Sequence, residues 1–132
     1  LGDFSAAVSD WVTKSDRVLE AVVKDAIQST YNDMTKPRSK GGNMPVDTGF
    51  LRNSVEASQG AMPKALEKRT PGLPVPVPDV IGFIIDMRVG QPLYIGFTMN
   101  YGPAMENRYS FVALAAANWQ ANVTSAARKA RK

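Results

Sequence analysis

Four carboxylates, Asp47, Glu56, Asp86 and Glu106, fall in the stretch whose alternating apolar residues suggest a sheet. They are the side chains with the most obvious chemistry, general acid–base work. A paired-carboxylate hydrolase holds two such groups about 5–10 Å apart across a cleft. Spacing along the chain does not show such a pair. The 132 residues include no histidine and no cysteine. That removes the Ser-His-Asp and Cys-His nucleophile systems, His-ligated zinc, thiolate metal sites and disulfides. No carboxylate cluster has the spacing of a calcium loop. The expectation is a non-enzymatic protein with no cofactor and no metal.

The cations are more organised. Lys36, Arg38 and Lys40 stand within five residues, and Arg128, Lys129, Arg131 and Lys132 within the last five. The net charge is +4, but residues 1–33 carry Lys14, Arg17 and Lys24 against six acids, a net −3. The remainder is +7. Such polarity suits head-to-tail contact between copies, or a basic end facing a polyanion. It also suits a solvated helix end whose cations sit favourably near the C-terminus. Gly41-Gly42-Asn43 lacks the Lys-Ser/Thr that a phosphate-binding loop requires. Tyr94, Phe97, Tyr101, Tyr109 and Phe111 are not interleaved with bases as a stacking platform would be. Loose contact with DNA phosphates is compatible with the charge; sequence-specific readout is not suggested.

The elements that must position these groups follow from periodicity. Phe4, Val8, Trp11, Val12, Val18, Leu19, Val22, Val23, Ala26, Ile27 and Tyr31 recur at threes and fours, which predicts one long amphipathic helix over 4–33. A loop rich in Gly and Lys, a mobile cationic finger, follows over 35–46. Residues 47–59 read as a short helix capped by Asp47 or Thr48, then a strand from Val55. Arg52 lies within ion-pair reach of Asp47. Residues 60–79 hold five of the nine prolines. Pro71, Pro74, Pro76 and Pro78 favour a stiff polyproline II arm that could dock on a partner. Residues 80–99 alternate as two strands around Gly90-Gln91-Pro92, a hairpin. A C-terminal helix covers 110–131. Trp11 and Trp119 lie on apolar helix faces and are expected in the core.

One α+β domain over 1–132 results. Long N-terminal and C-terminal helices pack on a small antiparallel β-sheet, with a Pro-rich extended loop. No apolar run reaches the ~18 residues of a membrane helix. Asp3 and Asp10 stand where a signal peptide needs a basic start and an apolar stretch. The expectation is a soluble protein made in a cytoplasm, with no membrane partner.

Pro45-Val46-Asp47-Thr48-Gly49-Phe50-Leu51-Arg52 resembles the P-V-D-T-G-x-L-R signature of a tailed-bacteriophage neck family, variously called head–tail joining, tail-completion or minor tail proteins. Tyr101-Gly102-Pro103-Ala104-Met105-Glu106 is similar to that family's Y-A-x-x-x-E segment. Phe111-Val112-Ala113-Leu114-Ala115 is similar to the F-x-x-x-A helix start that follows it. The resemblance spans nearly the whole chain.

It implies a structural virion protein, assembled in the host cytoplasm and located in the neck or tail region. Copies would form a homo-oligomeric ring, commonly of six, between head connector and tail tube, with DNA passing through. Partners would be the connector or adaptor and the tail-terminator or tail-tube proteins. On this reading Pro45, Val46, Asp47, Thr48, Gly49, Leu51, Arg52, Tyr101 and Glu106 are architectural. Lys36, Arg38, Lys40, Arg128, Lys129, Arg131 and Lys132 are the candidates for facing DNA or a partner. The alternatives are a tail-tube terminator and a small basic nucleic-acid-binding module.

Overall fold

The computed structural model describes residues 2–46, 50–63, 79–99 and 101–131. Helix α1 runs Gly2–Thr35, 34 residues and about 51 Å at the α-helical rise. A single 3-10 turn follows at Arg38–Lys40. Then come α2 (Phe50–Asn53), β1 (Val55–Ser58), α3 (Val80–Asp86), β2 (Tyr94–Phe97), α4 (Gly102–Tyr109), α5 (Phe111–Ala117) and α6 (Trp119–Ala130). The fold is α+β, as the periodicity implied: a long N-terminal helix and C-terminal helices around a small antiparallel sheet. The docking-arm prolines Pro71, Pro74, Pro76 and Pro78 lie outside the described residues, as do Asp47, Thr48, Gly49 and Lys132.

The sheet joins β1 to β2, with Val55 opposite Phe97 and Ser58 opposite Tyr94. Thr98 extends the pairing, since its amide and its hydroxyl both donate to the Ser54 carbonyl, at 3.0 and 2.8 Å. This corrects the expected hairpin over 80–99. Residues 80–86 are helical, and β2 pairs with the strand before the arm instead. The run Val80–Ile85 is so apolar that a period of two and a period of 3.6 both fit it. The cap decides: Asp79 Oδ1 accepts from the Gly82 amide at 3.0 Å and opens the helix. The buried face is therefore Val80, Ile84 and Met87, at helical spacing, while Ile85 is exposed.

Two apolar clusters share the sheet. Met34, Met44, Leu51, Met99, Phe111 and Ala115 form one. Val55, Val80, Ile84 and Met87 form the other, with Tyr31 and Phe97 touching both. Phe97 and Phe111 meet edge to face at 5.1 Å between ring centres, a favoured aromatic geometry.

The expected C-terminal helix over 110–131 is two helices, interrupted at Asn118. The interruption is fastened to α1. Asn118 Nδ2 and Asn122 Nδ2 each donate to Asp33 Oδ2 at 3.1 Å, and Asn122 also donates to the Thr30 hydroxyl at 2.9 Å. Helix α6 then runs back along α1, with Lys129 3.8 Å from Asp25. Its twelve residues reach no further. The part of α1 before about residue 21 extends past it, exposed on all sides from residue 6. Trp11 is consequently 69% exposed rather than core, and Trp119, at the start of α6, is 39% exposed.

Candidate interaction surfaces

Arg52 and Glu106 each make side-chain contacts at a helix end. Thr35 is the last residue of α1, and its carbonyl accepts from Arg52 Nε at 2.9 Å. A guanidinium there satisfies a carbonyl that the helix itself leaves open and faces the negative end of the helix dipole. Leu51, one residue before, is buried in the first cluster, so α2 delivers both side chains to the same helix end. Pro45 is half-buried and Val46 exposed, beside the loop that follows α1. The expected Asp47–Arg52 pair lies outside the described residues.

Glu106 does equivalent work at the other end of the motif. Ser110 takes a left-handed conformation (φ 53°) that separates α4 from α5. Its amide donates to the Glu106 carbonyl at 2.7 Å. The Glu106 carboxylate accepts from the Val112 amide at 2.8 Å and the Ala113 amide at 3.0 Å. A carboxylate at a helix N-terminus satisfies open amides and complements the positive end of the dipole. Tyr101 is the residue that precedes α4, and Pro103 stands in its first turn.

Burial of Tyr31 beneath these elements raises its hydroxyl pKa above the ordinary 10.0, and the Arg52 charge partly opposes the rise. The folded state therefore holds this proton more tightly than the unfolded chain. Stability is fully present below pH 10 and falls as pH rises through the folded pKa. Chemical denaturation at about pH 8 and about pH 11 should show this loss in the wild type and a smaller loss in Tyr31→Phe. Equal losses in both would show that Tyr31 is not its source.

The basic loop is closed rather than a free finger. Arg38 N–H donates to the Met44 carbonyl at 3.0 Å, and Met44 N–H to the Lys36 carbonyl at 3.1 Å. Met44 is fully buried and anchors the loop in the core. The glycines serve this closure: Gly41 has φ 88°, and a Cβ on Gly42 would lie 2.0 Å from the Lys36 carbonyl oxygen. The loop presents Lys36, Arg38 and Lys40 outward. Arg38 lies 4.6 Å from the centre of the Tyr109 ring and Arg108 5.2 Å, within the range of cation–π attraction. Lys36 also borders a cleft of about 320 Å³ with Asp33, Leu114 and Asn118.

The two basic groups are not brought together. The loop stands near the start of α6, where Asn118 meets Asp33. Arg128, Lys129 and Arg131 stand at its end, near Asp25. The length of α6 separates them by about 18 Å. Tyr109, Arg108 and the Asp33–Asn118–Asn122 fastening did not follow from sequence reasoning. The i, i+4 spacing of Asn118 and Asn122 is the one local signal that was available.

Among the described residues no group of three or more His, Cys, Asp or Glu is placed to hold a metal ion. Among them also, no helix is long and apolar enough to cross a membrane. Comparison of the chain with family models, with curated proteins and with solved structures finds no match.

Proposed function

We propose that this chain is a structural, non-enzymatic component of the neck of a tailed phage or prophage-like particle. Copies assemble as a ring between head connector and tail tube, and DNA passes through it. The observation that carries the reading is the use made of the motif. Arg52 and Glu106, the charged motif residues in view, each hold a helix end. The charge is also uneven along the sequence, −3 over residues 1–33 and +7 over the remainder, which favours heterologous contacts between repeated copies.

Native mass spectrometry of the purified chain tests this, with and without a short DNA duplex and across a salt series. The reading predicts a closed oligomer that forms without DNA. A monomer that binds the duplex, and loses it steeply as salt rises, would overturn it in favour of a nucleic-acid-binding module.

A further inference from the structure

Residues 6–21 of α1 are exposed throughout. At about 100° per residue, Val8, Trp11, Val12, Val18 and Leu19 still fall on one stripe of the helix. That stripe continues into Val22, Val23 and Ala26, where the body of the same chain covers it. Ala26 is fully buried, whereas Trp11 is 69% exposed and Leu19 58%. One apolar face is thus half seated and half bare. A bare contiguous stripe led by Trp marks an interaction surface.

Its width and its edges say what covers it. Val8, Val18 and Trp11 occupy the narrow seam that two paired helices need. Val12 and Leu19 widen it on one side, as in helices that meet more than one neighbour. Lys14 borders one edge of the stripe and Asp16 the other, both exposed. Antiparallel pairing about a two-fold axis sets like edge against like edge. Parallel packing about a rotation axis sets the Lys14 edge of one copy against the Asp16 edge of the next. The charges favour the second arrangement.

We propose that the bare half of α1 packs side by side and parallel with the same segment of a second copy. The inference rests on the ring reading for its rotation axis and names the surface through which the ring closes.

Sedimentation velocity on the full chain tests it, over about 1–100 μM. Trp11→Glu combined with Leu19→Glu should weaken self-association about 30-fold or more. Far-UV circular dichroism should remain that of the wild type, because both residues are exposed. Lys14→Glu and Asp16→Lys should each weaken association, and the double exchange should restore it. Single exchanges that associate like the wild type would overturn the parallel arrangement. A Trp11/Leu19 variant that assembles normally would overturn the surface while leaving the ring reading standing. A wild-type chain that stays monomeric also overturns the inference. Partition of that monomer onto vesicles of phosphatidylcholine and phosphatidylglycerol would reassign the stripe to a lipid surface. Failure of the ring reading shows differently, in a wild-type chain that stays monomeric rather than in a Trp11/Leu19 variant that still assembles.

Discussion

Phe111→Ala lowers the stability of this protein by about 3–5 kcal/mol, the usual cost of deleting a buried aromatic ring. Phe111 is 1% exposed and opens α5. Its ring meets Phe97 of β2 edge to face and packs with Met34 from the end of α1 and Met44 from the basic loop. Three other parts of the chain therefore lose packing around one ring. The lost transfer energy is joined by that of a cavity, because three elements cannot all collapse onto one point. Urea unfolding checks it: the midpoint should fall sharply with the slope unchanged. A loss below about 1 kcal/mol would mean that the ring is not the junction described here.

Glu106→Ala should cost about 1–2 kcal/mol, the range of a lost N-terminal cap with a charged acceptor. The Val112 and Ala113 amides lose their acceptor together. Both are near solvent, so water limits the penalty. Glu106→Gln keeps a neutral acceptor and should fall between wild type and Ala. Thermal unfolding followed at 222 nm reads both variants. The ranking separates two roles for the residue. An architectural Glu106 lowers stability in the order Gln then Ala, with assembly lost only as folding is lost. A Glu106 that instead contacts a partner would leave stability unchanged and abolish assembly.

The order long helix, loop, short helix, strand was legible over residues 4–59, from the 3.6 period of the first helix and the apolar alternation from Val55. Val55 onward reads as a strand from a short apolar alternation, and β1 begins at that residue. The segment Val80–Asp86 was misread for a physical reason. A run with apolar residues at nearly every position fits both periods, and the side-chain cap from Asp79 chose between them. Once that segment is a helix, β2 has no adjacent partner in the chain and pairs with β1, the strand at Val55–Ser58. The break at Asn118 was hidden for a related reason. Alanine-rich sequence continues a helix through it, and the interruption comes from a tertiary contact, Asp33 on α1.

Arithmetic alone shows that one end of the first helix projects, though not that it is the Trp11 end. A compact chain of this length has a radius of gyration near 14 Å, while a helix over 4–33 spans about 45 Å. One end of such a helix must leave the body. The contacts that Arg52 and Glu106 make at helix ends had no signal in sequence spacing. Arg52 reaches the Thr35 carbonyl, 17 residues back in the chain, a contact that local spacing does not point to. The basic loop and the basic end were grouped by charge, and only the antiparallel course of α6 along α1 separates them.

The proposed neck component would have a fixed place in a particle, and localisation tests it. Tailed particles would be produced from the genome that carries this reading frame, with the chain epitope-tagged and decorated by gold-labelled antibody for electron microscopy. Label is expected at the junction of head and tail, with unjoined heads and tails when the reading frame is deleted. Particles that carry no label, together with normal joined particles after deletion, would contradict it.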